Sequence, residues 1–286
     1  MTSLHSRVMR VLSAATLLTA AVVLTACTAA ASPTASSSSD ASHGLTTVTA
    51  GKLTIATGQP AYSPWVIDDK PQSGEGFEAA VAYAVATKLG FAKKDVVWTR
   101  TTFDSAIAPG PKDFDLNIQQ FTITDKRKQA VDFSSPYYTT AQAIVTTKSS
   151  PAASITTLAG LRSVKIGVAT GTTTYTLLQK VVGGSNIQVF NSNDDAVLAL
   201  KSGQVDAIAT DLPTAFYLAD AEVKNGVVSG QFSDSSGGDQ FGFVLPKGSP
   251  NTAKVSAAVD AITKDGELAA ITKKWLSTTV NVPDFN

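Results

Sequence analysis

The chain has 286 residues, 43% of them apolar, with 23 basic and 23 acidic side chains. That balance excludes the basic excess that phosphate backbones demand, so no nucleic-acid partner is expected. The two histidines are His5 and His43 and the one cysteine is Cys27, so residues 51–286 contain neither imidazole nor thiol. Ser-His-Asp and Cys-His catalysis, disulfides and zinc sites built on those ligands are thereby closed off, and neither a metal nor another cofactor is expected.

Residues 1–26 read as a secretory signal: Arg7 and Arg10 precede an uncharged run from Val11 to Ala26. The rival reading is a membrane span, but 16 residues fall short of the roughly 20 that a bilayer requires, and no stop-transfer charges follow. Loss of the signal removes Arg7 and Arg10, leaving 21 basic against 23 acidic residues. Leu24-Thr25-Ala26-Cys27 resembles the lipobox of bacterial lipoproteins, which implies cleavage before Cys27 and lipidation of its sulfur. The alternative is a small-residue cleavage site beside a chance cysteine. Residues 27–50, mostly Ala, Ser and Thr, are expected to form a flexible tether to an acyl anchor.

From residue 51 strand and helix patterns alternate. Lys52 to Thr57 reads as a strand, Phe77 to Leu89 as a helix stopped at Gly90, Val96 to Thr99 as a strand, and Phe103 to Ala108 as a short helix cut by Pro109. Asp115 to Phe121 and Gln142 to Thr147 look extended. Next come a strand at Val164 to Ala169, a helix at Thr172 to Val182, a strand at Ile187 to Phe190, a helix at Asn193 to Lys201 and a strand at Val205 to Thr210. Phe241 to Leu245 reads as one more strand, and Ala253 to Leu276 as two helices broken around Gly266. Repeated βα units of this kind predict α/β architecture with largely parallel sheets.

Such sheets bind ligands beyond the carboxyl ends of their strands. The loops there carry Gln59, Tyr62 and Trp65, then Thr122 and Thr124, then Gly171-Thr172-Thr173-Thr174, and finally Asp211. In FTITDKRKQAVDFSSPYY, residues 121–138, Thr124 is placed to cap a short helix whose third residue is Arg127. The plain alternative for this charge run is a solvated turn, and for Lys126 and Lys128 that reading is preferred. Gly167 to Gly171 lacks P-loop spacing and no lysine follows Gly171, so nucleotide binding is not expected. The helix start after Gly171 is either an ordinary cap or an anion site.

Taken in order, YSPW, GEGFEAAVAYAVATKLG, FTITDKRKQAVDFSSPYY, VKIGVATGTTT, GQVDAIATD and DGELAAITKKW resemble the family 3 solute-binding proteins of ABC transporters, which take up polar amino acids. The resemblance implies a two-lobed periplasmic-binding-protein fold (type II), with two α/β lobes joined by a two-stranded hinge. Lobe 1 would take residues 51–140 plus 240–286, and lobe 2 residues 141–239. It implies that Arg127 holds the ligand's α-carboxylate with Thr172 and Thr173, that Asp211 faces the α-ammonium, and that Tyr62 and Phe103 sandwich the guest. Asp211 before Pro213 also fits a helix cap, with ligand contact preferred, and core packing is the alternative for the two aromatics, with the cleft preferred for Tyr62 in its Pro-flanked loop. Thr122, Gln120 and Gln59 complete the expected ligand set. Gln59 stands where binders of basic amino acids carry an aspartate, and an amide does not neutralise a cation, so an uncharged or amide-bearing ligand is favoured. The expected protein is an extracytoplasmic, membrane-anchored, monomeric binding lipoprotein that serves a permease and is not an enzyme. A cyclohexadienyl dehydratase-like enzyme and a ligand sensor presenting to a membrane receptor are the alternatives.

Overall fold

The computed structural model describes residues 44–232, 238–276 and 282–285. The expected signal and Cys27 lie outside them. The strands are β1 (Leu53–Thr57), β2 (Val96–Arg100), β3 (Leu116–Asn117), β4 (Val131–Phe133), β5 (Tyr138–Thr140), β6 (Gln142–Thr147), β7 (Ile166–Ala169), β8 (Ile187–Phe190), β9 (Ala207–Asp211), β10 (Gly226–Gln231), β11 (Asp239–Phe241) and β12 (Val244–Pro246). The helices are α1 (Phe77–Lys88), α2 (Phe103–Ile107), α3 (Asp125–Lys128), α4 (Leu158–Leu161), α5 (Thr173–Val181), α6 (Asn193–Lys201), α7 (Leu212–Tyr217), α8 (Thr252–Lys264) and α9 (Glu267–Leu276).

Two five-stranded sheets organise these elements, in the orders β2-β1-β3-β12-β4 and β10-β6-β9-β7-β8. In the first, β1 runs parallel to β2 and β3 while β12 is antiparallel to its neighbours; in the second, β7 is parallel to β8 and β9, and β6 is antiparallel to β9 and β10. The antiparallel pair β5 and β11, with Tyr138 opposite Phe241 and Thr140 opposite Asp239, stands as a separate ribbon joining the two lobes. This is the two-lobed α/β fold of a type II periplasmic binding protein.

Each lobe has its own core. Helix α1 is apolar on nearly every side because it is covered on nearly every side: Phe77, Val81 and Val85 pack with Leu53 and Ile55 of β1 and with Val255, Val259 and Ile262 of α8. In lobe 2 the sheet is sandwiched between one cluster holding Val168, Leu178 and Leu161 and another holding Ala196, Leu200, Ile208 and Ala215.

Three differences from the sequence expectation bear on the lobes. Residues 44–50 are not tether: Leu45 is buried in the lobe 1 core, the Thr46 amide donates to Asn251 Oδ1 at 3.1 Å, and the Val48 amide donates to Asp115 Oδ1 at 2.8 Å. Low-complexity composition hid a segment whose backbone is claimed by two partly or fully buried polar side chains far away in the chain. Residues 282–285, expected in lobe 1, lie on lobe 2, where Phe285 stacks with Phe232 at 5.3 Å and Asp284 bridges to Gln231. The expected strand Phe241 to Leu245 is two strands: β11 ends in the connecting ribbon, the Gly242 amide turns to donate to Phe121 O at 3.1 Å, and β12 then enters the lobe 1 sheet.

Candidate functional site

Helix starts converge on one gap between the lobes. Strands β7, β8 and β9 run parallel, so their carboxyl ends lie on one side of the sheet, and each is followed by a helix whose first N–H groups have no intrahelical acceptor. Thr172, Ser192 and Asp211 cap these helices, accepting from the amides of Tyr175 (3.1 Å), Asp195 (3.1 Å) and Thr214 (2.9 Å). Thr102 does the same for α2 after β2, accepting from the Ser105 amide at 3.3 Å. All four capping residues line an interlobe cavity of about 150 Å³. An apolar cavity of roughly that volume takes a benzene-sized guest.

The local prediction for residues 124–128 holds. Thr124 Oγ1 accepts from the Arg127 amide at 3.2 Å, Arg127 is buried, and Lys126 and Lys128 are exposed. The guanidinium donates from Nη1 to Thr122 O at 2.7 Å and from Nη2 across the cleft to Gly171 O at 3.0 Å, and it lies 5.2 Å from the Phe103 ring centroid. Burial lowers its pKa to about 10, with Asp239 and Asp104 acting in the opposite direction, so it is a cation at neutral pH. Two of its five N–H groups are used by backbone carbonyls.

Asp211 is the anion of the lining. Its Oδ1 takes the Thr214 amide and its Oδ2 accepts from Thr214 Oγ1 at 2.8 Å and from Thr210 Oγ1 at 3.4 Å. Burial raises its pKa to about 6, against those hydrogen bonds. The cap reading of Asp211 is therefore correct, and the same carboxylate also faces the cavity.

The structure brings all nine expected ligand residues to this cavity: Gln59 and Tyr62 from the loop after β1, Phe103 from α2, Gln120 and Thr122 after β3, Arg127, Thr172, Thr173 and Asp211. Gln120 is turned partly away, at φ +50°, with its amide nitrogen and its backbone N–H both donating to the buried Glu78. Glu78 also accepts from Tyr137 OH at 2.5 Å, and burial raises its pKa to about 7. The Tyr62 phenol is pushed up to about 12 by burial and by Asp194. Glu75, an acidic residue near the loop after β1, does not line the cavity.

Sequence reading missed Gln142, Asn191, Ser192, Asn193 and Thr102 in the lining. Ser192 carried a usable signal, because Ser-Asn-Asp-Asp before an apolar-periodic run is a capping pattern following a strand. Asp239 carried none: it sits on β11, yet its Oδ2 accepts from Thr173 Oγ1 at 2.6 Å, Gln142 Nε2 at 2.5 Å and Thr122 Oγ1 at 3.2 Å, tying both lobes to the connecting ribbon. Among the described residues no cluster of His, Cys, Asp and Glu is arranged to hold a metal ion, and no helix is long and apolar enough to cross a membrane.

The chain resembles several characterised proteins over most of its length. It is 29% identical over 244 residues to the L-cystine-binding protein TcyJ of Escherichia coli (strain K12), covering 84% of this chain and 89% of that one. It is 31% identical over 211 residues to the ABC transporter glutamine-binding protein GlnH of Bacillus subtilis, covering 72% and 75%. A solved structure of an ancestral arginine-binding protein bound to glutamine superposes with a TM-score of 0.68 at 32% identity, covering 79% of this chain and 98% of that one. Because the family model spans residues 53–278, the stretch that holds both sheets, the ribbon and the cavity, the chain belongs to the bacterial extracellular solute-binding proteins, family 3.

Proposed function

We propose that this protein captures a polar α-amino acid between its two lobes outside the cytoplasm and delivers it to the permease of an ABC transporter. One observation carries the reading: among the described residues the cavity lining holds one cationic side chain, Arg127, and one anionic one, Asp211, on opposite lobes. A zwitterion offers a carboxylate to the first and an ammonium to the second, and bridging both halves gives the closed form the differential contact energy that shifts the population toward it. The planar fork of Arg127 suits two parallel hydrogen bonds to a carboxylate. The amides of Gln59, Gln119, Asn191 and Asn193 join hydroxyl groups in the remaining polar lining, which favours a guest whose side chain hydrogen-bonds without a net charge.

The names of the relatives support this class of ligand, since they bind cystine, glutamine or arginine. Another neighbour at 32% identity is an ancestral amino acid-binding protein that is a precursor of cyclohexadienyl dehydratase, so turnover is the second reading that the test below separates from binding. On the binding reading the chain acts as a monomer and is not an enzyme. Cys27 would carry the lipid that keeps it at the membrane surface, which mass spectrometry of the membrane-extracted protein tests.

A thermal-shift screen of the protein against the common amino acids and cystine tests the function. A ligand at a hundredfold excess over its Kd stabilises by about 3 kcal/mol, and an uncharged polar amino acid is expected to give the largest shift. A response only to arginine and lysine overturns the side-chain assignment. No response to any amino acid, or turnover of prephenate or arogenate, overturns the binding role itself.

A further inference from the structure

Trp65 belongs to lobe 1 yet ends on lobe 2. Its indole is fully buried in the lobe 1 core, edge-on to Phe77 at 5.8 Å and to both rings of the connecting ribbon, Tyr138 at 5.7 Å and Phe241 at 5.8 Å. Its Nε1–H donates across the cleft to Thr214 Oγ1 at 2.8 Å, and that hydroxyl in turn donates to Asp211 Oδ2 at 2.8 Å. The first bond joins two lobes that have separate hydrophobic cores. The Thr214 hydroxyl has one proton; with an N–H occupying one of its lone pairs, that proton is directed at the carboxylate. A chain of aligned hydrogen bonds in a water-excluded setting is stronger than its parts.

We propose that Trp65 is a positioning residue that couples lobe closure to the orientation of the Asp211 carboxylate through the Thr214 hydroxyl. Its ring is held against both strands of the connecting ribbon, and on this proposal its N–H completes the support of Asp211 on closing. Packing thus sets where the indole points, and the indole sets when the carboxylate is fixed. The inference rests on the reading that Asp211 faces the ligand's ammonium, although the relay itself can be measured without ligand.

Spin labels on the two lobes give the closed fraction, and a carboxyl-carbon NMR titration follows Asp211, in the wild type, Trp65→Phe, Thr214→Val, Thr214→Ser and the Trp65→Phe/Thr214→Val double variant. Each is measured alone and with a mixture of glutamine, arginine, histidine and cystine. Loss of one hydrogen bond is expected to lower the closed fraction relative to the open by about 3- to 10-fold in Trp65→Phe and at least as much in Thr214→Val. The double variant should match Thr214→Val, and Thr214→Ser should restore wild-type behaviour. An unchanged closed fraction in Trp65→Phe, or single effects that multiply as independent sites do, overturns the proposal. If the mixture does not close the wild type, the functional reading falls first. Trp65 is then judged on a ligand-free titration of protein held closed by a disulfide engineered across the cleft, where an unchanged Asp211 midpoint in Trp65→Phe overturns the relay.

Discussion

Arg127 on lobe 1 and Gly171 on lobe 2 meet across the cleft, the guanidinium Nη2 donating to the glycine carbonyl at 3.0 Å. The residue expected to grip the guest therefore also pins the lobes to each other. Arg127→Lys keeps the charge and loses the fork, and a lysine ammonium does not reproduce two parallel bonds. Calorimetric titration with the best ligand of the screen should show affinity lowered about 100-fold, or about 2.7 kcal/mol. The melting temperature without ligand should fall as well, since the buried Thr122 carbonyl loses its donor at a cost of roughly 1–3 kcal/mol.

Asp211→Asn separates charge from capping. Asparagine caps helices about as well as aspartate, so the bond from the Thr214 amide survives and ligand-free stability should hold or rise. The ammonium partner is lost, and binding should weaken by a factor of roughly 30 or more. A thermal melt and a titration on one preparation distinguish the two effects.

Stability and binding should respond to pH in opposite directions. Burial raises Asp211 to about 6 and Glu78 to about 7, so both bind their protons more tightly folded than unfolded. The stability they contribute is complete below about pH 4, where they are protonated in either state, and is lost as pH rises through 6 and 7; the Glu78 share alone is of the order of 3 kcal/mol. Ligand-free melting temperatures are thus expected to decline from pH 5 to pH 8, less steeply in Asp211→Asn. Amino acid affinity should climb over the same interval, because an ionised Asp211 is what pairs with an ammonium.

A methyl group at position 171 should strain the backbone and push the exposed Asp104 side chain aside. Gly171 has φ +69°, and a Cβ there would lie 2.2 Å from Asp104 Oδ1 of the opposite lobe. Gly171→Ala should lower affinity about tenfold, combining the left-handed strain with this clash. Adding Asp104→Ala should recover only the clash, which a pair of titrations resolves.

On lobe 2 the would-be Cβ of Gly230 falls 2.5 Å from the Phe285 ring. Gly230→Val should displace that ring and cost about 1–3 kcal/mol in chemical denaturation. Phe285→Ala should cost about 3 kcal/mol. The combination should be far from additive, since either change empties the same seat.

The readable parts of the fold were those whose information is local. Helix α6 and strands β6 and β8 match their expected limits because caps, periodicity and apolar runs lie within each segment. The site residues that could be read were those sitting just after such strands, where Thr172 and Asp211 do two jobs at once. Strand β5 has three residues, too few for a period, and β10 is made by its antiparallel pairing with β6. The cross-lobe bonds of Asp239 and Trp65 were invisible for the same reason: their partners lie 66 and 149 positions away, at Thr173 and Thr214. Leu45 was masked by the serine- and alanine-rich stretch that precedes it.

The seating of Phe285 on lobe 2 has a practical corollary. Lys274 on α9 and Asp284 are exposed and only ten positions apart in the chain, yet one travels with the first sheet and the other with the second. A donor and acceptor dye at those two sites would turn a short tail of the polypeptide into a gauge of jaw angle, leaving every group that touches the guest untouched.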